Sequence, residues 1–263
     1  MLKKIITLFD VLNAPWHVVS FAITIARENN LPVTGVFIRA GTRQGLKYPF
    51  PNDMGFTTSR GESLSGENEQ LTNDNIQMFK DECETAGITF EIRKETSIDD
   101  LLTGQQEGDL VIADTRADFL DGLLPKLTCP VCLTSQNDLP GKVILLLDEN
   151  PASRIAIEKF ASIFPHLTRL PATVISINLT PEQRSANNIY VEQKLEQLFS
   201  SLKITALQGD VEKELVNFLN EDQKHVIIIM GAFGRSRVSR FFHQSLANVV
   251  LQDTKYSLFI VHR

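Results

Sequence analysis

What the 263-residue sequence lacks narrows its function before any motif is considered. It has three cysteines, an odd number that builds no disulfide framework in a chain of this length, so a reducing cytoplasmic setting is expected. It has no apolar run approaching the roughly 18–20 residues that cross a bilayer, so no membrane partner is expected. The opening run MLKKIITLFDVL is interrupted by Asp10 and followed by no small-residue cleavage site, and it reads as a first strand rather than a leader. It has no dense basic patch: 26 lysines and arginines stand against 32 acids, which argues against nucleic acid. There is no GxSxG elbow, no P-loop lysine and no nucleophile beside a base, so a binding protein is expected rather than an enzyme. The histidines at 17, 166, 225, 243 and 262 show no HxH or HxxxH spacing and read as surface or turn residues; of these only His243 falls in the glycine- and arginine-bearing segment that follows Met230. Cys129 and Cys132 have CxxC spacing, but they border a buried strand, on which residues three apart point to opposite faces. With no second cysteine or histidine pair, neither redox chemistry nor a metal is expected.

What is present is a repeated pattern. The length accommodates two domains of roughly 130 residues, each able to bury a core. Residues 1–139 carry 12 lysines and arginines against 20 acids, and residues 140–263 carry 14 against 12, so the halves are not expected to do the same job. KIITLFD predicts a strand ending in an acid, WHVVSFAITIARENN a helix with Val18, Phe21, Ala22, Ile25 and Ala26 on one face, and LPVTGVFIRA a second strand. Residues 41–68 read as a long exposed loop. Residues 69–86 read as a helix with Leu71, Ile76, Phe79 and Cys83 on its apolar side. The strand ITFEIRKE, the short helix SIDDLLTGQQ and the buried strands DLVIAD and CPVCLTS follow.

The pattern then starts again. GKVILLLD ends in Asp148, an Asn-Pro precedes a helix, and LPATVISI echoes LPVTGVFI, with Asp-to-Leu spacings of 22 and 21 residues. A helix over 181–202, the strand KITALQ, a helix over 211–220 and the strand HVIIIM complete a second copy. The chain therefore reads as an α/β protein of two tandem doubly wound parallel-sheet domains, 1–139 and 140–263. Sheets of this kind bind ligands beyond the carboxyl ends of their strands where strand order reverses. That rule brings Asp148, the end of the strand 174–178 and the loop after Met230 together.

Residues 226–263 carry the sharpest motif. A buried strand ends at Met230, Gly231-Ala232-Phe233-Gly234 follows, then Arg235, Arg237 and Arg240, and a helix is expected from about residue 244 or 245. Glycines admit positive φ and close backbone approach, and free N–H groups at a helix start favour phosphate. In spacing the segment resembles the universal stress protein family, whose nucleotide-binding members carry G-x2-G-x9-G-[ST] after the fourth strand. Gly231, Gly234 and Ser245 match, nine residues intervene, and Gln244 stands where the family has its third glycine. The strand order and the duplication extend the resemblance over both halves, as in a tandem member with adenine nucleotide alpha hydrolase-like domains.

The resemblance implies ATP or AMP bound in the C-terminal half as a signal or structural ligand. Asp148 would meet the adenosine, although Leu146 fills the family's proline position. Met230 and Gly231 would sit at the strand end, and Gly234, Arg235, Gln244, Ser245 and Leu246 would surround the phosphates. The Gln244 side chain either obstructs the phosphates or donates to them. The first half lacks both glycines and places Asp114 and Asp118 where phosphate would sit, so it reads as degenerate, with Asp10 a structural acid. A protein-interaction or regulatory module that has lost nucleotide binding is the competing reading. Members of the family pair through a sheet edge, which implies an intramolecular pseudo-dimer of the halves and leaves a homodimer of chains open. Phe241 and Phe242 read as packing residues.

Overall fold

The computed structural model describes residues 2–10, 14–38, 59–95, 98–117, 119–135, 139–148, 150–220, 225–231 and 256–261. The apolar runs become strands, buried on both faces in the interior of the sheet as a parallel sheet between helical layers demands, with the edge strands β3 and β8 partly exposed. These are β1 (Lys4–Asp10), β2 (Val33–Ile38), β3 (Phe90–Glu95), β4 (Asp109–Asp114) and β5 (Val131–Thr134), then β6 (Lys142–Leu146), β7 (Ala172–Ile177), β8 (Leu202–Leu207), β9 (Val226–Gly231) and β10 (Tyr256–Val261). The helices are α1 (Trp16–Asn29), α2 (Ser59–Ala86), α3 (Ile98–Thr103), α4 (Leu120–Leu123), α5 (Pro151–Ile163), α6 (Pro181–Tyr190), α7 (Glu196–Leu198) and α8 (Val211–Asn220).

All ten strands join one sheet in the order β3-β2-β1-β4-β5-β10-β9-β6-β7-β8. Read inward from either edge the order is the same, so the duplication seen in the sequence is a duplication of topology. Within each half every pairing is parallel. The seam is antiparallel, with Leu258, Phe259 and Ile260 of β10 opposite Leu133, Cys132 and Val131 of β5. The sheet is therefore mixed at that one joint.

Two apolar layers cover the sheet. One holds α1, α2 and α5 through Val18, Phe79, Phe160 and Phe164. Within it Phe21 and Phe164 meet at 6.0 Å between ring centroids, tying the first half to the second. The opposite layer holds Leu101, Leu120, Leu123, Leu215 and Leu219. Fully burying a side chain of this size stabilises by about 1.5–3 kcal/mol, so these layers dominate the fold.

Three expectations change. The helix expected over 69–86 begins at Ser59, so residues 59–68 are helical rather than loop. Leu71 is 49% exposed and leaves the apolar side of α2, whereas Ile76, Phe79 and Cys83 are buried. The helix expected over 181–202 is interrupted: α6 passes into a π-helical turn, Val191–Leu195, then α7, and the chain is extended at Phe199. Val191, Leu195 and Phe199 are buried, and the wider turn keeps their four-residue spacing on the core side.

Candidate functional site

The second half reverses its strand order between β6 and β9, and the chain behind β6 determines what meets there. Asp148 Oδ1 accepts the Asn150 N–H at 3.0 Å, and Asn150 Oδ1 in turn caps α5 by accepting the Ala152 N–H at 3.0 Å. Ser153 Oγ donates to the Asn150 carbonyl at 2.8 Å. With Pro151 in the first helical position, where no N–H is needed, this turn starts α5 immediately beyond the sheet.

Gly231, at the end of β9, faces the start of α5. A Cβ there would overlap the Ala152 carbonyl carbon and lie 2.6 Å from its oxygen and 2.7 Å from the Ser153 nitrogen, all backbone atoms that cannot rotate away. The requirement at Gly231 is thus space for a close helix approach, separate from any phosphate role. The resulting cleft is lined by Asp148, Met230, Gly231, Ile175, Ile177 and Leu146, among others, and holds about 30 Å³ of free room. That is on the order of one water, so the cleft is narrow between its walls.

Asp148, Met230 and Gly231, which the sequence places 82 or more positions apart in two groups, therefore line one cleft. Gly234, Arg235, Gln244, Ser245 and Leu246 lie outside the described residues, as do Arg237, Arg240, Phe241, Phe242, His243 and Asp118. Asn150, Ser153, Ile175 and Ile177 were not singled out from the sequence. The Asn-Pro before the helix was the signal for the first, and the apolar run of β7 for the last two.

The first half has the same crevice between β1 and β4, and strand register allows a residue-by-residue comparison. Ile5 lies opposite Val33 and Lys4 opposite Asp109, as Val143 lies opposite Ala172 and Lys142 opposite Val226. Continued along the strands, this places Asp10 with Asp148 and Asp114 with Gly231. The sheet-facing positions of α1 and α5 coincide when His17 is set on Ala152 and Val18 on Ser153.

Where the second half has a glycine against a helix backbone, the first has a buried charge cluster. His17 Nε2 lies 3.0 Å from Asp114 Oδ2 and 3.2 Å from the Thr134 carbonyl oxygen. Arg116 donates from Nη2 to Oδ2 at 2.8 Å, from Nε to Oδ1 at 3.0 Å and from its backbone N–H to Oδ1 at 2.7 Å. Burial pushes the Asp114 carboxyl upward, but the hydrogen bonds from His17 and Arg116 outweigh it and hold the group well below the usual carboxylate range. His17, expected at the surface, is buried, because the acid at the end of β4 gives it an interior partner.

The remaining titratable motifs behave as packing. Cys129 and Cys132 are free, buried and in opposite apolar layers. Burial, reinforced by the nearby Asp109, raises the Cys129 thiol to about 12, and burial raises Cys132 as well, so neither is a ready thiolate. His225 is exposed and adopts positive φ at the turn into β9. Among the described residues no group of histidine, cysteine and acidic side chains has metal-binding geometry, and no helix is long and apolar enough to cross a membrane.

No protein-family profile matches the chain, and no curated protein does. Solved structures do. A universal stress protein from Archaeoglobus fulgidus DSM 4304 superposes with a TM-score of 0.64 at 13% identity, over 100% of this chain and 97% of that one. A functionally unknown protein, PA1789, from Pseudomonas aeruginosa PAO1 superposes with a TM-score of 0.56 at 13% identity, over 99% and 92%. The fold of this chain is thus a universal stress protein fold along its whole length.

Proposed function

We propose that this chain works as a cytoplasmic tandem universal stress protein, residues 140–263 binding an adenine nucleotide and residues 1–139 serving as its degenerate partner. The observation that carries this reading is the convergence of Asp148, Met230 and Gly231 at the reversal point between β6 and β9, beside the apolar Ile175 and Ile177. Apolar walls suit a base, and a carboxylate accepts hydrogen bonds from ribose hydroxyls. The phosphates would follow the chain beyond Gly231, toward Gly234, Arg235, Gln244, Ser245 and Leu246, whose roles rest on the family spacing. No residue of the cleft is assigned to chemistry on the nucleotide, which acts as a ligand rather than a substrate.

The β5·β10 joint supports reading the two halves as a pseudo-dimer within one chain, since it is an antiparallel edge pairing between equivalent strands. It leaves β3 and β8 as the outer edges for any further homodimer.

One observation favours a second reading, an interaction or regulatory module without nucleotide: the free room of about 30 Å³ in the cleft, far below the roughly 300 Å³ or more of ordinary ligand pockets. Nucleotide entry on the first reading therefore requires the walls to part. Calorimetric titration with ATP, ADP and AMP, on the wild type and on Gly234→Val, separates the two. The first reading predicts saturable binding that Gly234→Val weakens. Absence of binding up to millimolar nucleotide selects the second, and binding that survives Gly234→Val moves the site.

A further inference from the structure

The turn between β6 and α5 is held more firmly than a helix start requires. Asn150 is fixed at both its side chain and its carbonyl: Oδ1 accepts the Ala152 N–H at 3.0 Å, and the carbonyl accepts the Ser153 N–H at 3.1 Å and the Ser153 hydroxyl at 2.8 Å. Ser153 is 4% exposed, and the Ala152–Ser153 backbone is packed against Gly231 at the end of β9, so the turn cannot swing away from the sheet. The Asn150 N–H is thereby aimed back at Asp148 Oδ1, 3.0 Å away.

That bond is not needed to start the helix, as the first half shows. There α1 follows Pro15 with φ −69° and ψ 123°, close to the −77° and 129° of Asn150, and the Val18 N–H donates to the Pro15 carbonyl at 3.0 Å as Ser153 does to Asn150. The two helix starts share one backbone form. Pro15, however, has no N–H to give, and four residues separate it from Asp10 where one separates Asn150 from Asp148. The half whose fourth strand ends in glycine is the half that also holds its acid in place.

A carboxylate fixed before a ligand arrives needs no further ordering on binding, whereas immobilising a rotating side chain costs about two- to tenfold in affinity. An ionised carboxylate has about four acceptor positions, so receiving one N–H does not exhaust it. The donors that suit it are hydroxyls lying side by side, as on a ribose.

We propose that Asn150 is the positioning residue of the cleft between β6 and β9: its backbone N–H sets the Asp148 carboxylate in advance, and the cleft thereby selects a nucleotide with free ribose hydroxyls over one without them. This rests on the nucleotide reading and adds to it a preference for the sugar.

The test is calorimetric binding of ATP and of 2′,3′-dideoxy-ATP to the full chain, in the wild type and in Asn150→Ser, Asn150→Ala and Asn150→Pro. Asn150→Ser keeps the helix cap and the N–H, Asn150→Ala keeps the N–H alone, and Asn150→Pro, which copies the first half, keeps neither. The wild type is expected to prefer ATP by about tenfold or more, in line with hydrogen bonds to a charged group. Asn150→Ser and Asn150→Ala are expected to retain that preference, and Asn150→Pro to reduce it by about fivefold through weaker ATP binding alone. A role confined to capping would make Asn150→Ala and Asn150→Pro alike, and that result overturns the proposal. Equal affinity of the wild type for the two nucleotides also overturns it, while leaving the nucleotide reading in place. Wild type that binds neither nucleotide removes the nucleotide reading and this inference with it. Amide hydrogen exchange of the ligand-free wild type gives a check that no variant's folding affects: the Asn150 N–H is expected to be protected, and free exchange there overturns the proposal.

Discussion

At the end of the fourth strand of each half the same backbone position carries opposite solutions. In the second half Gly231 lets α5 press its backbone onto the strand end beneath a cleft floored by Asp148. In the first, Asp114 projects a carboxylate into that place, and His17 and Arg116 close around it. The charge cluster does with side chains what a bound anion's contacts would do elsewhere: it satisfies donors at a crevice the fold leaves open. The buried acid at this position is thus accommodated by the partners the fold brings to it.

The comparison can be broken most severely at Asp114. Asp114→Ala leaves the buried His17 without its carboxylate acceptor, a loss expected to cost about 1.5–3 kcal/mol, to be read from denaturant unfolding at neutral pH. Its pH dependence has a definite sign. The folded carboxyl titrates below the unfolded one, so its contribution is complete above roughly pH 5 and is lost as pH falls through and below the ordinary carboxylate value of about 4. The stability gap between wild type and Asp114→Asn is therefore expected to be widest at neutral pH and to shrink in acid.

Next in size is the reciprocal exchange at Gly231. Gly231→Ala forces a Cβ into the backbone of Ala152 and Ser153, an overpacking expected to cost about 1–3 kcal/mol. Gly231→Asp, which copies the first half, is expected to cost more than Gly231→Ala, because Ala152 offers no side-chain partner where α1 offers His17. Equal losses for the two would show that the side-chain partner is immaterial.

A smaller asymmetry lies at the helix starts. Asn150 caps α5 with its side chain, whereas Pro15 precedes α1 with no side-chain cap bond. Asn150→Ala is expected to lower stability by about 1 kcal/mol, measured in the same unfolding assay. Smallest of all is Arg116→Ala. Its side chain is 54% exposed, and water replaces much of what it gives Asp114, so a loss of about 0.5 kcal/mol or less is expected.

The strands, the duplication and the meeting of Asp148 with Gly231 were legible because they depend on local periodicity and on one general rule about parallel sheets. The burial of His17 was not, because its partner comes from the end of β4 and its acceptor, Thr134, from β5; only topology makes them neighbours. The early start of α2 was hidden for a different reason. SRGESLSGENEQ is polar, with two glycines, and offers no apolar stripe to mark helical phase. The break in α6 was invisible because Val191, Leu195 and Phe199 keep a four-residue spacing that an uninterrupted helix would also satisfy. The candidate cleft was half legible: its acid and glycine stood out as motif residues, while Ile175 and Ile177 resembled any other strand interior.

The central claim is that the two halves differ in one respect above all, that the crevice of the second receives a nucleotide and that of the first is closed by its own side chains. Crystals grown with millimolar ATP test it directly. Nucleotide density beside Asp148 and Gly231, with the His17–Asp114–Arg116 cluster intact and no density between β1 and β4, is the predicted result. Nucleotide between β1 and β4 instead, or in neither crevice, would contradict it.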